Sequence, residues 1–121
     1  MSRERLIAWR FVFSVSLLVI IWMATRNPSE IPPILFSIDD FAQHALTFLY
    51  LAAVMARAYP PVRHGLIWIF LTFYGILIEA IQSLLPFREA SVVDLAANTA
   101  GLALFEMVLL TKGILLKRKR H

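Results

Sequence analysis

Four long apolar runs separated by short polar breaks set the pattern of this chain. They cover about Leu6 to Ala24, Phe41 to Ala58, Leu66 to Leu85 and Val92 to Leu116. Each is close to the roughly 20 residues a helix needs to cross the hydrocarbon core of a bilayer. Prolines punctuate the breaks: Pro28, Pro32 and Pro33 in the first, Pro60 and Pro61 in the second, and Pro86 at the end of the third run. A residue without a backbone donor stops a helix. The pattern predicts an all-α integral membrane protein, with four transmembrane helices in one bundle over residues 1–121. The first run has the basic start of a signal peptide. Its apolar stretch is long, however, and Trp22 to Thr25 makes a poor small-residue cleavage site, so an uncleaved anchor is expected.

Composition agrees with the pattern. The chain is 60% hydrophobic and 17% charged, with a mean hydropathy of +0.72. A soluble domain of 121 residues has too much surface for its volume to bury that much apolar side chain. The absence of cysteine excludes disulfides, thiolate chemistry and cysteine zinc sites. A net charge of +4 raises the question of nucleic acid. The positions argue against it, because the basic residues cluster at helix ends, where they meet lipid headgroups.

The charges also predict topology. Arg3, Arg5, Arg10, Arg57, Arg63, Lys112, Lys117, Arg118, Lys119 and Arg120 fall on one side of the predicted bundle. Arg26 and Arg88 fall on the other, together with Glu30, Asp39, Asp40 and Glu89. The positive-inside rule places both termini in the cytoplasm of a bacterial cell, with the protein multi-pass in its inner (plasma) membrane. Trp9, Tyr59 and Trp68 then form an inner aromatic belt and Trp22 an outer one.

Against this apolar background the polar residues stand out. A charge at mid-membrane costs at least roughly 2.5–3.5 kcal/mol on insertion scales. Asp40 and His44 are four apart and share a face at the outer start of the second helix. Glu79 and Gln82 are three apart near the outer end of the third. Asp94, Asn98 and Gly101 form a stripe on the outer part of the fourth. The short connection from Phe87 to Ser91 makes the last two helices antiparallel neighbours and holds Arg88 above them. Asp40, His44, Glu79, Gln82, Arg88, Asp94 and Asn98 therefore form one candidate binding cluster in the outer half of the membrane.

Each residue has a structural reading beside the functional one. His44 can serve as a packing hydrogen bonder, or as a ring oriented by Asp40. Ser91 or Asp94 can cap the fourth helix. Asn98 can hold helices together, and Gly101 can admit a close neighbour. Arg88 can anchor at headgroups or pair with Asp94 or Glu79. Glu79 has the fewest bland readings, since an acid that deep must be paired, protonated or hydrated. Glu106 lies about 80° off the Asn98 stripe. It is expected to snorkel toward Lys112 or to meet a partner on another helix. The basic tail reads as a headgroup-binding stop signal.

Taken in order, these elements resemble the VanZ-like family of small bacterial membrane proteins. The matching residues are Asp40 and His44, then Glu79 and Gln82, Pro86 and Arg88, Ser91, and finally Asp94, Asn98 and Gly101. The resemblance covers about Ser37 to Leu104. It departs from the family pattern at Phe41, where a lysine follows the first acid in relatives. The resemblance implies a membrane fold and a motif, together with a link to resistance against the glycopeptide teicoplanin; it carries no established biochemical mechanism.

Four functions compete at this stage. The leading one is an outward-facing pocket that binds the headgroup of an amphiphile: a phospholipid, a polyprenyl carrier or an amphipathic glycopeptide. In it Arg88 meets an anion, whose geometry suits a guanidinium fork. The second is an intramembrane enzyme on a lipid-linked substrate, with His44, Glu79 and Asp94 as candidate catalytic groups and Ser91 as the nearest nucleophile. A metal variant takes His44, Glu79 and Asp94 as ligands. The third is transport or proton relay through those same groups, and the fourth is a purely structural role. No cofactor is called for. The expected partners are membrane lipids, an amphiphilic or glycopeptide ligand, and a second copy of the chain, but no nucleic acid.

Overall fold

The computed structural model describes residues 2–30, 34, 39–88 and 91–120, and every long element in it is helical. Helix α1 spans Arg3–Thr25, α2 Asp40–Ala58, α3 His64–Ser83 and α4 Val92–Arg120. A 3₁₀ turn at Pro28–Glu30 follows α1. Pro32, Pro33, Ser37 and Glu89, which the sequence places in connections, lie outside the described residues.

Local chemistry explains the boundaries. The Ser2 hydroxyl accepts from the Arg5 amide and caps α1. Ser91 does the same for α4, accepting from the Val93 amide at 3.1 Å. Helix α3 ends at Ser83, two residues earlier than the hydropathy suggests. The Pro86 ring would clash with the carbonyl four residues back, and Leu85 before it is pushed away from helical angles.

Successive helices alternate in direction. Arg10 near the start of α1 bonds the Ala58 carbonyl at the end of α2. Gln82 near the end of α3 bonds the Ala24 carbonyl at the end of α1. His64 at the start of α3 meets Glu106 well along α4. Helices α2 and α4 therefore run in the same direction, and they form the most extensive helix pair. Glycine makes this possible, since a Cβ on Gly101 would collide with the Ala45 carbonyl oxygen and press on the Leu49 amide. The short third connection does make α3 and α4 neighbours, but α4 packs more on α2 than on α3. A loop fixes adjacency, while small residues fix how closely helices approach.

Among the described residues, three helices are long and apolar enough to cross a membrane: α1, α3 and α4 through Lys119. Helix α2 is not among them, where the sequence suggested four. Asp40, Gln43, His44 and Thr47 dilute its apolar content, and many of its remaining positions are alanine. It is instead a bundle interior, burying Ala45, Phe48, Leu51, Ala52, Val54, Met55 and Ala58. Helix α1 is its opposite. Phe13 is its buried residue, and Phe11 and Leu18 are 69% and 68% exposed, as suits a face turned to lipid.

Candidate functional site

The end of the bundle that gathers the C-termini of α1 and α3 and the N-termini of α2 and α4 holds the buried polar side chains Glu79, Gln82 and Asn98. His44 lies one turn into α2 and Asn98 one turn and a half into α4. With the Asn98 oxygen turned to the ring, His44 Nδ1 donates to Asn98 Oδ1 at 3.0 Å. His44 Nε2 faces Asp94 Oδ1 at 3.7 Å. Both ring nitrogens thus turn toward α4. Asp40, expected to orient the ring from one turn above, is exposed and does not do so. The i, i+4 spacing gave a shared face, but the closeness of α2 to α4 rotated the imidazole across the helix interface.

Glu79 is 7% exposed. Its Oε2 accepts the Ser91 amide at 2.9 Å, so the buried acid holds the first turn of α4. Asp94 and His44 both lie near enough to act on it electrostatically. Ser91, the candidate nucleophile, already spends its hydroxyl oxygen on the Val93 amide. It caps α4, leaving Asp94 to face His44.

Arg88 departs most from expectation. It bonds neither Glu79 nor Asp94. Its Nη2 donates to the Met23 carbonyl at 2.8 Å and its Nε to the Arg26 carbonyl at 3.1 Å. These carbonyls lie in the last turn and at the C-cap of α1, where the helix dipole also favours a cation; the Met23 carbonyl accepts the Arg26 amide as well, at 3.4 Å. Gln82 joins it there, with Nε2 on the Ala24 carbonyl at 3.1 Å. Backbone carbonyls carry no sequence signature, so nothing in the chain announced them.

Between these two groups lies a cavity of about 380 Å³. Ile20, Met23, Ala24, Leu46, Phe48 and Ile78 supply apolar wall, and Gln43, His44, Thr47, Gln82, Arg88 and Asn98 supply polar surface. Glu79 and Asp94 stand behind this lining, and Asp40 stands outside it. Gln43 and Thr47 were not singled out from sequence, although their spacing of four gave the signal. Two buried acceptors, Glu79 Oε1 and Gln82 Oε1, meet no donor among the described residues.

The metal variant does not assemble. No group of three His, Cys, Asp or Glu side chains among the described residues is arranged to hold an ion. A second polar knot lies toward the other end of the bundle, where Glu106 accepts from His64 Nδ1 at 3.0 Å and Trp68 Nε1 at 3.2 Å. Glu106 thus has partners on α3, one of the two outcomes its position allowed.

The chain matches no protein-family model, no curated protein and no solved structure.

Proposed function

We propose that this is a four-crossing bacterial plasma-membrane protein with cytoplasmic termini, whose cavity binds the head of an amphiphile at the cell-envelope side. One observation carries the reading: a cavity of about 380 Å³ is apolar over most of its wall, with His44, Gln82, Arg88 and Asn98 among its polar lining. A headgroup with its attached chain has that division. Leu46 and Ile34, both on the cavity wall, are 52% and 75% exposed, which supports an entrance from the side. The bias of basic residues supports the topology, with α2 crossing as a shielded interior helix. Membership of the VanZ-like family belongs to the same proposal and rests on the order of its motifs. A teicoplanin link follows from that resemblance alone.

The test is native mass spectrometry of the purified protein with its co-purified lipid. Filling the cavity with Ala24→Leu and Thr47→Leu should strip the lipid while the helical circular dichroism persists. Lipid retained by the filled variant would overturn the reading.

One observation favours a second reading, catalysis on a lipid-linked substrate. His44 lines the cavity with Asp94 Oδ1 3.7 Å from its Nε2. Turnover of a bound lipid that is abolished by His44→Ala, with lipid still retained, would support it.

A further inference from the structure

Arg10 on α1 and Arg57 on α2 are exposed at the end of the bundle opposite the cavity. Each crosses the α1–α2 seam to the residues beside the other. Arg10 Nε donates to the Ala58 carbonyl at 2.9 Å, and its Cζ lies over the Tyr59 ring at 4.9 Å. Arg57 Cζ lies over the Trp9 ring at 5.3 Å. Tyr59 is itself held edge-on against the buried Phe13, with ring centroids 6.1 Å apart. Two long side chains are thus settled on rings, so a ligand has less rotamer freedom to remove. Neither arginine meets an acid: the ion pairs among the described residues are His44 with Asp94 and His64 with Glu106. Arg10 spends one of its five N–H donors on Ala58, and the rest meet no acceptor among the described residues.

The seam therefore offers two exposed, oriented and unpaired guanidinium groups. Trp9 and Tyr59 are rings of the kind that settle at headgroup depth, where lipid phosphates lie. A guanidinium fork matches a phosphate, and basic pockets between helices at a membrane surface take anionic head groups. We infer that the seam binds the phosphate of an anionic phospholipid in the leaflet at that end, with Arg10 hydrogen-bonding it and Arg57 adding charge. The site is separate from the cavity and stands without the amphiphile reading. It also differs from diffuse attraction by the basic tail, which needs charge alone and no fixed side chain.

The experiment is competition between dioleoyl phosphatidylglycerol and dioleoyl phosphatidylcholine in equimolar mixed micelles, read by native mass spectrometry of the full chain. Identical acyl chains cancel the apolar contribution. The wild type should retain phosphatidylglycerol over phosphatidylcholine by about 5- to 30-fold, the range for one to two arginines at an anionic head group. Arg10→Gln with Arg57→Gln should bring that ratio close to one. Lys117→Gln with Lys119→Gln removes as much charge from the tail and should leave the ratio in place. If loss of the Ala58 contact unfolds the double variant, Arg57→Gln alone should still lower the ratio, since Arg57 holds no described hydrogen bond. Filling the cavity with Ala24→Leu and Thr47→Leu should not change the ratio, which keeps this site distinct from the amphiphile reading. Equal retention of the two lipids by the wild type, an unchanged ratio in the arginine variants, or an equal fall in the tail variant would overturn the inference. Displacement of the lipid by millimolar glycerol phosphate would assign the seam to a soluble phosphoester and overturn it as well.

Discussion

His44 on α2 and Asn98 on α4 share a 3.0 Å hydrogen bond across the most extensive helix pair of the bundle. Asn98 is 6% exposed, so the bond is shielded from water. Asn98→Leu should leave the His44 ring without its Nδ1 partner and destabilise the protein by about 1–3 kcal/mol. Converting His44 to Leu as well should recover part of that loss, because no orphan remains. A double-mutant cycle by thermal unfolding in detergent is expected to give a coupling of about 0.6–1.7 kcal/mol. Purely additive losses would show that the bond does not join the helices.

Glycines at two positions on α4 should respond in opposite ways. Gly101→Ala drives a Cβ into the Ala45 carbonyl and is expected to cost about 1–3 kcal/mol by forcing α2 and α4 apart. Gly113→Ala meets nothing within 4 Å and should be neutral or gain up to about 1 kcal/mol from helix propensity. Melting temperatures of the two variants, side by side, check the contrast.

Arg88→Ala should loosen the end of α1 rather than disturb α3 or α4. The Arg26 carbonyl loses its Arg88 donor, and the Met23 carbonyl keeps only the Arg26 amide. A loss of about 1–3 kcal/mol follows from hydrogen bonds made by a charged group. Hydrogen exchange should quicken in the last turn of α1 while the amides around Glu79 stay protected. Faster exchange at the start of α4 instead would indicate that Arg88 supports Glu79 or Asp94.

Glu106 should tolerate loss of charge better than loss of oxygen. Glu106→Gln keeps an acceptor within reach of Trp68 or His64, whereas Glu106→Leu strands both. The Leu variant is expected to be less stable by about 1 kcal/mol or more and to shift Trp68 emission. Equal stability of the two variants would show that the contacts carry no weight.

The chain lacks cysteine, so single cysteines report topology cleanly. Ser29→Cys should react with a membrane-impermeant maleimide in intact cells. Ser2→Cys and Arg63→Cys should react only after permeabilisation. The reverse pattern would invert the proposed orientation and move the cavity to the cytoplasmic side.

By itself the sequence determined four helices and their approximate limits, because apolar run length and proline are local signals. It also determined that Glu79, Asn98 and His44 belong near one another, since helical spacing and alternating direction bring them to one level. Tertiary structure decided the rest. Helix α2 became the interior helix because Gly101 and Ala45 let α4 close onto it. Asp40 was left outside because that approach turned His44 toward α4. Arg88 went to the end of α1 because the carbonyls and the negative dipole end of the last turn attract a cation there, and a carbonyl is the same at every residue. Which face meets which neighbour depends on helix rotation and close approach, and no single run of residues contains either.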